Sequence, residues 1–168
     1  PRSRVVHLEG ITSGTDLNSG AKAYQARNRE RFAQKWSDAL LRQPGPEQLP
    51  TPALLHAGQR QVLIVDAMTP RPDHDSGSLR LVNLMRLLRE EGMHVVFLPF
   101  DRRDDGDYTL SLQAIGVETW HAPHARHLPA WLAEHGLRFD VVVLCRHYVA
   151  SALLPLLARH APRARLVF

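Results

Sequence analysis

Cysteine is almost absent from this chain. Its 168 residues hold a single one, Cys145, set in an apolar run, so neither a disulfide framework nor a cysteine-based zinc site can be assembled. No stretch approaches the roughly 20 consecutive apolar residues of a membrane-spanning helix. The opening residues lack the succession of charged, apolar and small residues that marks a secretory signal. Nothing argues for export, and a cytoplasmic location is the default expectation. Lysine is nearly as scarce. Only Lys22 and Lys35 occur, so almost all of the 21 basic side chains are arginine, set against 17 acidic ones for a formal net charge of +4. The arginines run from Arg2 to Arg165 with carboxylates between them, and no basic run is interleaved with aromatics. That sets nucleic-acid binding aside, because it wants a concentrated footprint. A pocket in which a few arginines hold a phosphate or pyrophosphate fits the same balance.

Two phosphate-binding signatures are missing, the dinucleotide fingerprint G-x-G-x-x-G and the G-K-[ST] of a P-loop. The absence of any lysine after Lys35 excludes a phospho-receiver domain, which needs one after its last strand. What is present is ordinary globular composition, 44% hydrophobic and 23% charged, on a chain long enough to bury a core. The length suits one domain, or one with an appendage. The chain opens on Pro1 with no methionine and closes on an apolar run, Arg165-Leu166-Val167-Phe168. The expectation is an excised piece of a longer polypeptide.

The first segment, 1–43, has a strand-like run at 4–8, then a loop of small and polar residues, then a helical pattern. Tyr24, Phe32, Trp36 and Leu40 share one helical face, which is expected to bury against another surface, of this domain or of a neighbour lost from the chain. Prolines and glycines make 44–60 a linker. From Gln61 the pattern changes. Short apolar runs at 62–65, 95–98, 117–120, 141–145 and 165–168 alternate with helical stretches at about 76–91, 108–114, 128–135 and 148–160. Such alternation predicts βαβ crossovers, hence an α/β, Rossmann-like parallel sheet of about five strands with helices on both faces, preceded by a helical N-terminal extension. Ligands bind such sheets at the carboxyl ends of the strands. Those ends are 66–78, 99–107, 121–127, and Arg146 with His147.

The loop Pro70-Arg71-Pro72-Asp73-His74-Asp75-Ser76-Gly77-Ser78 is the most informative. It follows the first strand and opens a helix, so its amides offer an anion site; Asp75 or Ser76 capping an empty helix start is the other reading. Asp101 to Asp107 has the look of a calcium loop, but Arg103 and Leu112 fall where ligands are required, leaving a solvated loop. His121, His124 and His127 recur every third residue, yet Pro123 and Pro129 argue against a helix presenting them together, which favours surface histidines. Arg146 could pair with a phosphate or carboxylate and His147 could act as acid, base or donor, or both simply open the next helix. Cys145 is expected in the core.

Two stretches carry a resemblance. His7-Leu8-Glu9-Gly10, Ser13-Gly14-Thr15-Asp16, Gly20-x-Lys22-x-Tyr24-Gln25, Asn28, Phe32 and Lys35-Trp36 resemble the tail of inverting GT-A glycosyltransferases of bacterial polysaccharide synthesis. Val65-Asp66, Pro70-x-Pro72-Asp73-x-Asp75-Ser76-Gly77-Ser78-x-Arg80, Leu87-Leu88-Arg89-x-x-Gly92, Ile115-Gly116-Val117 and Phe139-Asp140-Val141-Val142-Val143 resemble the N-terminal half of a retaining, group 1-like GT-B glycosyltransferase. The chain would straddle two fused enzymes, with 61–168 as the truncated GT-B half. The resemblance implies transfer of a sugar from a nucleotide-sugar donor to a growing glycan, with the remainder of the parent polypeptide as partner and no activity in isolation. It implies no cofactor in this stretch, and a divalent metal in the upstream domain with His7 completing its site. Candidate substrate-binding residues are Asp75, Ser76, Gly77, Ser78, Arg80 and Arg146, and His147 is the catalytic candidate. Ser76-Gly77-Ser78 stands where the family has paired glycines, and Arg146-His147 where it places a histidine at the end of the fourth strand. A non-catalytic Rossmann-like binding module is the alternative.

Overall fold

The aromatic stripe of the first segment lies on a helix in two pieces. A 3₁₀ turn, Gly20–Tyr24, feeds α1 (Gln25–Lys35), and α2 (Ser37–Leu40) follows once Trp36 has left helical geometry at φ −115°, ψ 22°. The structure, a computed structural model, describes Val6, Asp16, residues 19–41, Gln43, Gly45, Glu47 and residues 51–168. His7, the metal candidate, and all of the strand-like run but Val6 lie outside the described residues. The chain divides into two compact units, Pro1–Leu49 and Pro50–Phe168. Within the described residues that face stays open, with Tyr24, Phe32 and Trp36 54%, 55% and 47% exposed. The break at Trp36 interrupts the stripe, and neighbouring cations cover ring faces instead. Arg27 lies 5.0 Å from the Tyr24 centroid and Lys35 5.3 Å from that of Trp36.

In the second unit a helical turn, α3 (Pro52–Leu55), precedes β1 (Gln61–Asp66). Then come α4 (Ser76–Glu90), β2 (His94–Pro99), α5 (Asp107–Ala114), β3 (Glu118–Thr119) and α6 (Leu128–His135). A 3₁₀ turn, Gly136–Arg138, leads to β4 (Val141–Leu144), α7 (His147–His160) and β5 (Arg165–Val167). The strands form one sheet in the order β3-β2-β1-β4-β5, every neighbouring pair parallel. The α/β, Rossmann-like reading of the sequence holds. Parallel neighbours cannot be joined by hairpins, so helical crossovers fall on both faces.

Strand alternation then divides the core. Val62, Ile64, Val95 and Phe97 pack with Leu81 and Met85 of α4 and Leu112 of α5. Leu63, Val65, Val96 and Leu98 point the other way, onto Leu128, Trp131 and Leu132 of α6 and Val149, Leu153 and Leu157 of α7. β1 and β2 are buried at every position, which is why their sequences read as unbroken apolar runs. β5 departs from expectation. Among the described residues it pairs with β4 alone, at the sheet edge, and its residues are exposed, not buried. α4 ends as its sequence suggests, with Gly92 in the left-handed region at φ 78° just beyond the last turn.

Charge is also buried, at the amino-terminal edge of the sheet. His94 Nε2 lies 2.6 Å from Glu118 Oε2, while Glu118 Oε1 accepts from Arg138 Nη2 at 2.7 Å and from Trp120 Nε1. Desolvation pushes the Glu118 carboxyl up, but hydrogen bonds from His94 and Trp120 and the charge of Arg138 overcome it and hold it at about 2. His56 stacks on His94 with ring centroids 3.5 Å apart and planes 9° apart, so the turn after α3 is packed onto this network.

Candidate functional site

In the order β3-β2-β1-β4-β5 the chain's direction of travel reverses between β1 and β4. α4 leaves β1 toward one face and α7 leaves β4 toward the other, so the two loops part and open a crevice outside the carboxyl ends of both strands. A cleft of about 370 Å³ lies there, with Asp66, Arg80 and Arg146 as its charged groups. Leu81, Leu84 and Cys145 form its apolar wall, and Gly77 completes the lining. The cleft explains a flaw in the helical stripe. Leu81 and Met85 are buried, but Leu84, between them in the pattern, is 39% exposed because it lines the cleft.

Asp66 ends β1 and is 8% exposed. Its Oδ1 accepts from its neighbour's amide, Ala67 N, at 2.7 Å and from Arg146 Nε at 3.2 Å. That contact raises the Arg146 pKa beyond its ordinary value, the hydrogen bond first and the opposite charge second. Arg146 sits at φ 102°, ψ 131°, in a region that favours glycine, and its side chain is 58% exposed. A non-glycine residue held there is strained, and such strain gathers at sites that use it. The geometry turns an arginine, tethered through Nε, over the mouth of the cleft. Arg80 reaches the same cleft from the first turn and a half of α4, with Nε 3.4 Å from Ser76 O.

The start of α4 is capped by its own chain. Asp75 Oδ1 accepts from Ser78 N at 2.8 Å and Oδ2 from Ser78 Oγ at 2.6 Å. These hydrogen bonds, the hydroxyl's above all, hold the Asp75 carboxyl below its ordinary range. A Cβ on Gly77 would stand 3.0 Å from Asp75 Oδ1, so this glycine leaves room for the cap as well as for the cleft. The loop before it is fastened to the loop ahead of α5: Arg71 makes a bidentate pair with Asp105 at 2.8 and 2.9 Å, and Tyr108 Oη donates to Asp73 at 2.8 Å. Asp105 is therefore an anchor, where the sequence suggests only a solvated loop.

Of the candidates read from the sequence, Gly77, Arg80 and Arg146 come together on the cleft. Asp75, Ser76 and Ser78 belong to the cap beside it, and Asp75 faces Arg146 electrostatically. His147 is the first residue of α7, exposed, edge-on to Tyr148 with centroids 5.5 Å apart, and does not line the cleft. Cys145 is half-buried, packed against the core on one side and lining the cleft on the other, and burial pushes its thiol up to about 11, well away from a reactive thiolate. Asp66 is not among the candidates read from the sequence, where its place at the end of an apolar strand and in the Val65-Asp66 pair of the resemblance is all that marks it. Among the described residues no group of three or more histidine, cysteine or acidic side chains is placed to hold a metal ion, and no helix is long and apolar enough to cross a membrane. Compared with protein-family models, curated proteins and solved structures, the chain matches none.

Proposed function

We propose that the unit from Gln61 onward is the Rossmann-like half of a glycosyltransferase that moves a sugar from a nucleotide donor onto a growing glycan. The observation carrying this reading is the meeting of Arg80 and a strained Arg146 over one switch-point cleft, with the buried Asp66 tethering the second arginine. An arginine presented this way suits the diphosphate of a nucleotide sugar, since a charge-assisted hydrogen bond contributes about 1.5–3 kcal/mol. Two such contacts on an open cleft support affinity on the order of millimolar. Three of the residues shared with the GT-B pattern, Asp66, Gly77 and Arg80, fall on this cleft. In this reading the sugar-facing chemistry is completed by the remainder of a parent polypeptide, and His147 faces an acceptor hydroxyl only in that closed assembly.

A non-catalytic binding module has one observation in its favour: Asp75 already occupies the helix start that would otherwise receive an anion. Titrating the 168-residue chain with UDP-glucose and GDP-mannose, read by amide NMR, separates the two. The glycosyltransferase reading expects saturable shifts at Gly77, Arg80 and Arg146, loss of those shifts in Arg146→Ala, and no sugar transfer by this chain alone. Absence of any cleft shift at tens of millimolar ligand refutes it. Turnover by the isolated chain refutes the need for further polypeptide.

A further inference from the structure

The unit has a second hollow, at the opposite edge from the cleft. It measures about 250 Å³ and lies at the amino-terminal ends of β1, β4 and β5, where Arg60, Arg163 and Arg165 meet Asp140 and Val141. We infer that this hollow is an anion site for a phosphate group bearing a small organic substituent, the three guanidinium groups taking the phosphate and Val141 the substituent.

Charge balance makes the cluster stand out. Residues 60–168 hold thirteen arginines, no lysine and twelve acidic side chains, close to balance, so three arginines on one hollow are a local excess. Arg71, Arg138 and Arg146 each face a carboxylate and the other arginines of the unit do not, so what sets this place apart is that three unpaired ones line a single concavity. None of Arg60, Arg163 and Arg165 has such a partner among the described residues. The one carboxylate in the hollow is already engaged, because Asp140 Oδ2 accepts from Gln61 N at 2.8 Å. Arg163 alone has a simple structural explanation, as a cation just past the end of α7 where the helix dipole is negative. Arg60 and Arg165 do not, since they flank strands.

The frame that carries these arginines is built before any ligand arrives. Arg60 O accepts from His94 N at 2.8 Å, Asp140 N donates to Gln61 O at 2.9 Å, and Arg165 N donates to Asp140 O at 2.9 Å. Sheet hydrogen bonds thus fix the Cα positions from which two of the guanidinium groups reach, which lowers the ordering cost of binding. Several arginines around one phosphate is the arrangement that planar, forked donors serve best. A phosphate monoester is a dianion near neutral pH, which matches three positive charges offset by Asp140.

Phenyl phosphate is the probe, with inorganic phosphate beside it, titrated into the intact chain at constant ionic strength and read by amide NMR. Saturable shifts are expected at Arg60, Asp140, Val141 and Arg165. Arg163→Gln and Arg165→Gln should each weaken binding about tenfold. Asp140→Asn keeps an acceptor for Gln61 N while removing a negative charge, and should tighten binding severalfold. That opposite sign separates a site from a variant that merely misfolds. Arg80→Gln, in the cleft, should leave these shifts unchanged, so failure here and failure of the glycosyltransferase reading are told apart. Linear shifts matched by sodium chloride, or variants at both arginines and Asp140 that bind like wild type, overturn the inference.

Discussion

Replacing Glu118 by glutamine tests whether the buried charge network holds the sheet's amino-terminal edge together. Its carboxylate, 16% exposed, is shared by His94 and by Arg138, whose side chain is 5% exposed. A carboxyl that titrates at 4.5 unfolded and at about 2 folded is worth about 3 kcal/mol at neutral pH. Water reaching part of the side chain screens this, and about 2 kcal/mol is the working figure. Glutamine removes more than that, because Arg138 keeps its charge with no carboxylate to face, and breaking a buried pair this way costs about 3–5 kcal/mol. The expected loss at pH 7 is therefore about 3 kcal/mol, a Tm lower by roughly 10 °C for a unit of this size. The pH dependence has a definite sign. A folded pKa below the unfolded one means that the unfolded chain binds the proton first, so wild-type stability falls as pH drops from 4.5 toward 2. Glu118→Gln lacks that component, and the gap between the two proteins should narrow over the same range. Urea unfolding at a series of pH values, followed by tryptophan fluorescence and circular dichroism, measures both quantities. A variant within about 0.5 kcal/mol of wild type, the range of ordinary surface substitutions, refutes the reasoning. So does a gap that stays constant from pH 7 to pH 3.

Two further perturbations follow from the same coordinates. Burial pushes His56 below its ordinary 6.5; the hydrogen bond to Gln59 opposes this, while His94 and Arg138 add to it and Glu118 counters. The docked turn thus favours a neutral ring, and its stability, full above pH 6.5, is lost as pH falls through the lowered value. Hydrogen exchange across residues 51–60 should quicken at pH 5.5 relative to pH 7.5 after intrinsic-rate correction, and His56→Phe, which stacks without titrating, should lose that dependence; an identical pH response in both proteins counts against it. Arg146→Gly relieves a backbone held at φ 102° and should leave Tm unchanged or raised while reducing nucleotide-sugar affinity at least about tenfold. A lower Tm with affinity intact would make Arg146 a structural residue and the cleft reading wrong.

The framework of the second unit was legible because each of its signals is local. Leu128–His135 forms the helix its residues announce, and the runs at Val62 and Val95 are strands because burial on both faces demands unbroken apolar sequence, while β4 alternates half-buried and buried positions. Legibility failed where a residue's fate depends on what lies across from it. The apolar run Leu166-Val167-Phe168 looks like core, yet among the described residues β5 has one neighbour only and those side chains stay 45%, 48% and 77% exposed. Cys145 follows a buried strand in sequence but emerges on a cleft wall that exists only because β1 and β4 send their helices to opposite faces. The same limit applies to the candidate site. A serine- and glycine-rich helix start advertises free amides, and nothing in the pattern says that Asp75, one residue earlier, turns back to take the one at Ser78. Once that amide is spoken for, the capacity to hold an anion passes from the helix start to side chains. Arg146 is the side chain the fold strains to keep over the cleft, with Asp66, eighty residues away in sequence, holding its Nε. A pairing of that separation is set by sheet order, and β4 comes to lie beside β1 only after two other strands have been passed in the sequence.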